Sequence, residues 1–506
     1  MTTTPVALGL VVAVLVGSAA IGVWYSRGQV GSVEDLITAR NSIGERRMTA
    51  TLVASVMGVW ILFSAPEAGA SFGIAAVVGY AVGEAVPMLV YARLGPQIRR
   101  LIPDGHSLTE YAHARYGTAM YAFVLVVSAL YMFIFLAAEL TGIASALSLV
   151  ASVPQWQTAL LVGGIVFLYT GYGGLTASIV TDTVQALLVV PLLVITFAAV
   201  LVTLGGVSPV YDGVVAANPT LLDPGFLPGL QFGLALSFAI LGAELINQTW
   251  WQRVYAGESD DVVRRGFSTA SVTNGSLVFL AALFGVVAVG STDIVTDVTS
   301  AGYNADVALF VLLEEAFPEP VVLGVTLLAL LLVVSSVDTL FNALASLVVI
   351  DLARLTAADD RRLRLASRAF TVVVALAAVY VSLRARSVLR LFFLADLLGA
   401  AVAFPLIYGL YSKSITGPGA LVSGIGGLAV GLAYFPDLRG VLTAVPVLGD
   451  ALPAADPLYL TSFAGAFCVS TALTLVTARL SSSEFDLDDL AGEIGRIDDD
   501  PAEAAD

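Results

Sequence analysis

Long apolar stretches recur along most of this chain, and each has roughly the 20 residues that an α-helix needs to cross the hydrocarbon core of a bilayer. Counting them predicts about thirteen membrane-spanning helices. The composition agrees, because 58% of the 506 residues are hydrophobic and only 12% are charged, which excludes an ordinary soluble domain. The stretches are continuous rather than alternating, which argues against a β-barrel. We therefore predict an all-α polytopic membrane protein.

Basic residues fall mainly in alternate loops, as expected when arginine-rich loops stay in the cytoplasm. One such loop carries Arg27, Arg40, Arg46 and Arg47. Another carries Arg253, Arg264 and Arg265. The exceptions, which fall outside in this topology, are Arg384, Arg386, Arg390 and Arg439. We predict a plasma-membrane protein with its N-terminus outside the cell and its C-terminus in the cytoplasm.

The net charge is −16, and Lys413 is the only lysine. Carboxylate-rich surfaces with few lysines keep proteins soluble at high salt, so we predict a halophilic prokaryotic source. Residues 481–506 hold ten acids and one base, and we expect a disordered cytoplasmic tail there, behind a membrane domain of residues 1–480. No basic patch supports binding to nucleic acid. We expect a monomer or a loose oligomer in the lipid bilayer.

One apolar stretch, residues 326–351, has a polar middle that contains Ser335, Ser336 and Asp338. An ionisable side chain at the centre of a bilayer costs at least about 2.5 kcal/mol, so it is expected to face a partner, water or an ion. Adjacent hydroxyl groups offer oxygen lone pairs, which are the ligands that hard cations prefer. An alkali-cation site is one interpretation of this segment. Hydrogen bonding to neighbouring helices is the other.

Two further apolar stretches are interrupted, which predicts broken helices. Residues 48–75 contain Gly58 and Pro66, and residues 228–251 contain Gly242 together with polar side chains. A proline or glycine within a span frees backbone carbonyl groups, which can then bind a ligand.

The two interrupted stretches also predict a repeat. Each heads a set of five spans, which gives core repeats of about residues 48–206 and 228–411. Because five is an odd number, the second set is inverted relative to the first. Paired interruptions at corresponding positions are the best indication from sequence of a transporter site at the bilayer midplane.

Four segments resemble motifs of the sodium:solute symporter family. They are VEDLITARNSIG (33–44), YTGYGGLTASIVTDTVQ (169–185), NQTWWQRVYAGESDDVVRRG (247–266) and SSVDTLFNALASLVVID (335–351). They occur in the order of the family, and the resemblance extends over about residues 30–410. It is closer to the proline-permease-like branch than to the sugar carriers. The resemblance implies a five-plus-five inverted repeat with two broken helices, alternating access and a co-transported sodium ion, Na⁺.

The resemblance also implies where sodium binds. The ligands would be the backbone carbonyls of Ala54, Met57 and Leu332 and the hydroxyls of Ser335 and Ser336. Leu332 and Ser336 are one helical turn apart, so both can face one ion. Asp182 matches an acidic position that is associated with sodium release toward the cytoplasm. The proline carriers have an additional aspartate where this chain has Val56.

The predicted substrate contacts are Trp60, Ile61, Glu244, Asn247, Gln248 and Asp338. Trp60 matches a tryptophan of the proline carriers, whereas Ile61 replaces a polar group of the sugar carriers, and an unpaired sugar hydroxyl is costly in a dry pocket. Import of an amino acid such as proline or a related zwitterion is the leading hypothesis. A small carboxylate or pantothenate-like solute is the alternative, and a membrane sensor that binds solute without net transport is a different class. No nucleophile–base set, metal cluster or phosphate loop indicates an enzyme.

Six acids are predicted to lie within the membrane: Glu67, Glu84, Glu139, Glu244, Asp338 and Asp396. If two or three of them line one cavity, they favour a zwitterion or an amine over a free carboxylate. The other interpretation is that they lie near the interfaces or bond to neighbouring helices.

Overall fold

The computed structural model describes residues 4–27, 37–355, 360–385, 387–445 and 452–495. In these ranges the regular secondary structure is helical, and the only β pairing is an isolated bridge between Ile43 and Gly257. The continuous apolar stretches therefore fold as the sequence predicts, because a helix satisfies every backbone polar group within one segment. The all-α prediction is confirmed.

The helices are numbered in chain order. They are α1 (Thr4–Ser26), α2 (Glu45–Val56), α3 (Ser64–Leu101), α4 (Leu108–Tyr116), α5 (Thr118–Ala151), α6 (Gln155–Thr203), α7 (Val207–Ala217), α8 (Leu227–Leu245), α9 (Gln248–Ala256), α10 (Asp260–Ser291), α11 (Ala308–Ala316), α12 (Glu319–Leu355), α13 (Asp360–Ser382), α14 (Val388–Tyr408), α15 (Gly417–Tyr434), α16 (Pro436–Thr443), α17 (Leu458–Leu480) and α18 (Leu490–Glu493). Short 3-10 turns cover Val59–Ile61, Pro219–Leu222, Ala305–Val307 and Leu487–Asp489.

The number of membrane crossings agrees with the prediction of about thirteen. Ten segments of the described chain are long and apolar enough to cross a bilayer, and two shorter apolar helices join them, Gln155–Leu168 and Arg368–Ser382. One of the ten, Val59–Leu101, is 43 residues long and kinked at Gly73, so the helical segments are roughly compatible with thirteen crossings. Gly73 has φ 66° and Gly174, where α6 turns, has φ 54°; this left-handed backbone favours glycine.

The first predicted broken helix is present, and its break lies at Met57 and Gly58. Helix α2 ends at Val56, Met57 is extended with ψ 92°, and Gly58 is extended with ψ −164°. The 3-10 turn and α3 then continue the crossing. Pro66 does not break the helix, because it lies in the first turn of α3, where its missing N–H costs no intrahelical hydrogen bond.

The second predicted broken helix is also present. Helix α8 ends at Leu245, and α9 begins at Gln248 after two non-helical residues. Asn247 is the N-cap of α9, and its side-chain oxygen accepts from the N–H of Thr249 at 3.0 Å. Gly242 lies inside α8, so it is not the point of interruption.

Glycines hold α8 tightly between α3 and α14. The backbones of Gly79 and Gly233 meet where α3 crosses α8, and a Cβ added to either would overlap the other. Where α8 crosses α14, a Cβ added to Gly242 would overlap the backbone of Ala400. A Cβ added to Gly399 would overlap the backbone of Ala243. Small residues let membrane helices approach this closely, and the two crossings fix the positions of the acidic side chains on all three helices.

Part of the expected acidic tail packs against the membrane domain. The N–H of Phe485 donates to the carbonyl of Lys413 at 2.9 Å, the guanidinium of Arg115 lies 4.4 Å from the Phe485 ring centroid, and Leu490 is buried. Residues 496–506 lie outside the described residues. The division of the chain at residue 480 and the two repeat boundaries stay predictions.

Candidate functional site

The break between α2 and the 3-10 turn presents backbone carbonyl groups toward the interior. Ala54 and Met57 are both buried. The N–H of Met57 donates to the carbonyl of Val53 at 3.2 Å, and the indole N–H of Trp60 donates to that of Val56 at 2.8 Å. The carbonyl of Ala54, which lies between them, receives neither donor. An interrupted helix therefore supplies the kind of oxygen ligand that the sequence predicts for a cation.

The other predicted sodium ligands lie on α12, which contacts α2. Leu332, Ser335 and Ser336 are all buried. The hydroxyl of Ser335 donates to Asp182 Oδ1 at 2.5 Å. Ser336 Oγ has no hydrogen-bond partner among the described residues, and a buried polar atom in that condition normally has a ligand or water to satisfy it. The assignment of sodium to these five residues stays a prediction.

A buried ion pair lies beside the two serines. Arg253 Nη2 donates to Asp182 Oδ2 at 2.9 Å, and neither side chain is exposed. Thr51 of α2 donates to the same carboxylate oxygen at 2.5 Å and accepts from Arg253 Nε at 3.0 Å. This cluster joins α2, α6, α9 and α12, so both broken helices meet at one carboxylate.

The location of Arg253 corrects the sequence interpretation. The charge rule treats it as a marker of a cytoplasmic loop, but the side chain is completely buried because Asp182 neutralises it. One signal for this was available in the sequence. Arg253 stands two residues after Trp251 and directly before Val254 and Tyr255. By contrast, Arg264 and Arg265 stand near acidic residues and are exposed.

Asp338, a predicted substrate contact, belongs to the same polar network. Its carboxylate accepts from the hydroxyls of Ser178 at 2.7 Å and Thr181 at 3.1 Å, both on α6. Thr339 donates to it at 3.3 Å and accepts from Arg253 Nη2 at 3.1 Å. Asp338 therefore connects α12 to α6, and a direct contact with substrate stays a prediction.

Glu139 of α5 stabilises the first helix break. Its Oε2 accepts from the backbone N–H of Val59 at 2.8 Å, which satisfies a donor at the start of the 3-10 turn. The carboxylate lies directly against Gly58, where an added Cβ would overlap its oxygen. The sequence placed Glu139 within the membrane, but nothing in the sequence paired it with a position 80 residues earlier.

The remaining predicted substrate contacts lie around the two breaks. Trp60 stacks on Tyr80, with ring centroids 5.5 Å apart and planes at 23°, and Ile61 is buried beside it. Glu244 Oε2 accepts from the Asn247 amide at 2.8 Å. Both polar atoms of the Gln248 amide are hydrogen-bonded within the protein. Its oxygen accepts from the N–H of Leu108 at 3.0 Å, and its nitrogen donates to the carbonyl of His106 at 3.1 Å. Gln248 thus holds the segment before α4, and its contact with substrate stays a prediction.

Three buried acids lie on three helices that cross at close glycine contacts, and we call Glu84, Glu244 and Asp396 the acid triad. Tyr131 donates to Glu244 Oε1 at 3.4 Å. Glu84 Oε2 has no hydrogen-bond partner among the described residues. The Asp182 cluster lies on α2, α6, α9 and α12, whereas the triad lies on α3, α8 and α14, so the two sets of acids belong to different helices.

Glu67 is separate from the triad in its bonding. Its Oε1 accepts from the Tyr303 hydroxyl at 2.6 Å, and Tyr303 belongs to the loop between α10 and α11. Burial, reinforced by the nearby Glu67 carboxyl, raises the pKa of Tyr303 well above its usual value. The hydroxyl therefore stays protonated and donates to Glu67 at every physiological pH.

The fold and the two sites define a class of protein: an ion-coupled membrane transporter that is built on an inverted repeat with two broken helices. The profile of the sodium:solute symporter family matches residues 36–427. The chain belongs to the sodium:solute symporter family. Sodium is accordingly the co-transported ion, and the family predicted from the four motifs is confirmed.

Curated relatives and a solved structure agree with this assignment. The chain is 26% identical over 383 residues to the spermidine transporter DUR31 of Candida albicans, covering 75% of this chain and 70% of that protein. It is 24% identical over 442 residues to the osmoregulated proline transporter OpuE of Bacillus subtilis, covering 81% and 85%. A Na⁺-coupled sialic acid symporter in a substrate-bound outward-open state has the same fold, with a TM-score of 0.73, 18% identity and coverage of 95% and 98%.

Proposed function

We propose that this protein imports a small organic solute with a protonated amino group, driven by sodium that moves down its gradient. An amino acid such as proline, or a related zwitterion, fits this description. The acid triad supports a positively charged group in the substrate, because buried carboxylates without a protein cation repel a free carboxylate. Two of the relatives are in line with this class, since spermidine and proline both carry protonated nitrogen at neutral pH, whereas other relatives are named for urea, glucose and pantothenate.

The single observation that carries the proposal is the hydroxyl of Ser336, which has no hydrogen-bond partner among the described residues. Ser336 is buried on α12, and α12 contacts α2, the helix that ends at the first break and contains Ala54. A sodium ion between these oxygens would hold α12 against α2. Because the ion and the solute would each stabilise the arrangement that the other needs, their binding would be reciprocally coupled.

The proposed orientation puts the start of α1 outside the cell and the C-terminal segment in the cytoplasm, in the plasma membrane of a salt-adapted prokaryote. The excess of arginine in alternate loops supports the orientation, and the acidic, lysine-poor composition supports the source. Inward sodium movement would then add about 2.3 kcal/mol per charge for every 100 mV of membrane potential.

Uptake into proteoliposomes tests the proposal. The purified protein is reconstituted and given labelled proline, betaine, other amino acids, diamines, acetate or pantothenate, with and without an inward sodium gradient. We expect an amine-containing solute to accumulate only with the gradient. Accumulation of acetate or pantothenate alone would overturn the substrate class. Sodium-dependent binding without accumulation would overturn transport and indicate a sensor.

A further inference from the structure

A groove with mainly apolar walls lies between α1, α6 and α12, and we call it the apolar groove. Its volume is about 240 Å³. Ile21 of α1 and Leu188 of α6 line it and are 38% and 49% exposed, so the groove is open to the outside of the protein. Both residues belong to segments that are long and apolar enough to cross a bilayer. The medium outside the groove is therefore the hydrocarbon of lipid chains.

A second cavity, of about 160 Å³, continues the same crevice toward the end of α1. On α1 it is lined by Tyr25, one helical turn after Ile21 of the apolar groove. On α6 it is lined by Val180, whose neighbour Thr181 lines the apolar groove. Since α1 packs against α6, the two cavities adjoin along one crevice between these helices.

This second cavity is polar and basic, and we call it the basic cavity. Its walls include Arg40, Arg47, Tyr25 and Ser42. Arg47 Nη1 donates to the Tyr25 hydroxyl at 3.2 Å, so that hydroxyl keeps its own proton for another acceptor. Among the described residues Arg47 has no carboxylate partner. Arg47 and Tyr25 together therefore offer a positive charge and hydrogen-bond donors to an anion.

Aromatic side chains place the basic cavity at the surface of the bilayer. Trp24 and Tyr25 lie in the last turn of α1, and Trp24 is 73% exposed. Tryptophan and tyrosine gather at the boundary between membrane and water, where lipid head groups lie. Guanidinium groups pair strongly with phosphate, and basic pockets between membrane helices bind anionic head groups.

We propose that the crevice binds one anionic phospholipid, with its phosphate against Arg47 and Tyr25 and one acyl chain in the apolar groove. A soluble phosphate compound would use only the basic cavity. A zwitterionic phospholipid would bring a positive group toward Arg47, which is unfavourable. The bound lipid would bridge α1 to α6 and α12. Such a lipid site is independent of the solute that the protein carries.

Native mass spectrometry of the purified protein tests the choice of lipid. Phosphatidylglycerol and phosphatidylcholine with identical acyl chains are compared, and we expect phosphatidylglycerol to bind at least about fivefold more tightly. Equal affinities would overturn the anionic assignment. Excess glycerol 3-phosphate, which has the phosphate but no acyl chain, should leave most of the phosphatidylglycerol bound. Complete displacement would show a site for soluble phosphate compounds and would also overturn the proposal.

A pair of arginine variants tests the head-group contact. We expect Arg47→Gln to weaken phosphatidylglycerol binding at least about fivefold. Arg46→Gln is the matched control, because it makes the same change in net charge at the next residue, which lines neither cavity. Its affinity should change by less than about twofold. Equal losses in the two variants would show that diffuse surface charge attracts the lipid, and the proposed site would be wrong.

A pair of glycine variants tests the acyl-chain contact. Gly17 lines the apolar groove, and no atom lies within 4 Å of a Cβ added there. Gly17→Leu therefore fills the groove without displacing protein atoms, and we expect phosphatidylglycerol to bind at least about fivefold more weakly although Arg47 is intact. Gly9→Leu is the control, since Gly9 also has open space on α1 but does not line the groove. Thermal unfolding verifies that each variant is folded. Wild-type affinity in the folded Gly17→Leu protein would refute the proposal.

Discussion

Arg253 and Asp182 form a completely buried ion pair across 71 residues of sequence, with Nη2 2.9 Å from Oδ2. The other oxygen of Asp182 accepts from Ser335, a predicted sodium ligand. The second broken helix is thus connected to the predicted sodium site through one carboxylate. Any movement of α9 relative to α6 changes the electrostatic surroundings of Ser335, and this offers a physical route from ion binding to helix movement.

We expect Arg253→Gln to lower the free energy of unfolding in detergent by about 3–5 kcal/mol, because it leaves Asp182 buried without its charge partner. The double variant Arg253→Gln with Asp182→Asn removes both charges and should recover a large part of this loss. Thermal unfolding of the three proteins measures the difference. Arg264→Gln is the control, since Arg264 is exposed and lies 3.6 Å from Asp261, so it should change little. An Arg253→Gln protein as stable as wild type would refute a structural role for the pair.

We expect Glu139→Ala to loosen the first helix break, since the N–H of Val59 loses its acceptor. Leaving a buried donor without its partner costs about 1–3 kcal/mol. Glu139→Gln should loosen the break less than Glu139→Ala, because its amide oxygen can still accept from the N–H of Val59. Hydrogen exchange at the Val59 amide, followed by mass spectrometry, measures the effect directly. Identical exchange in the alanine variant and the wild type would contradict this role of Glu139.

We expect Ser336→Ala to raise the sodium concentration for half-maximal uptake several-fold with almost no loss of stability, since Ser336 Oγ has no protein partner to lose among the described residues. Ser335→Ala should also destabilise the protein by about 1–3 kcal/mol, because Asp182 loses a donor. Sodium titration of uptake and thermal unfolding separate the two effects. Ser346→Ala, which removes a buried hydroxyl from the same helix, should leave the sodium dependence unchanged. A Ser336→Ala protein with normal sodium dependence would exclude this hydroxyl as a ligand.

We expect Gly242→Ala to destabilise the protein by about 1–3 kcal/mol, because the new methyl group would overlap the backbone of Ala400 and push α14 away from α8. Gly164→Ala is the matched control. It lies within α6 with no neighbouring atom within 4 Å of a new Cβ, so it should be neutral or stabilising by up to about 1 kcal/mol. Unfolding temperatures provide the comparison, and equal effects at both glycines would show that the crossing tolerates extra volume.

The positions of the helix breaks show how far sequence reasoning reaches. Both interrupted stretches were identifiable from the sequence. A span that crosses a membrane has to be apolar and helical, so polar residues, glycine or proline within it can be recognised without a structure. The residue that causes the break was not identifiable in the same way. Pro66 is acceptable where it begins a helix, and the break at Gly58 is instead held by Glu139 from another helix.

The sequence by itself determined the class, the number of spans, the two broken helices and the family of this protein, because hydrophobicity, helix periodicity and local motifs are properties of neighbouring residues. Only the tertiary structure decided the partners of the charged side chains. It buried Arg253 against Asp182 and placed Glu139 against the backbone N–H of Val59. The cost of a charge in a membrane depends on which charge lies opposite, and residues far apart in the chain meet only when the helices pack.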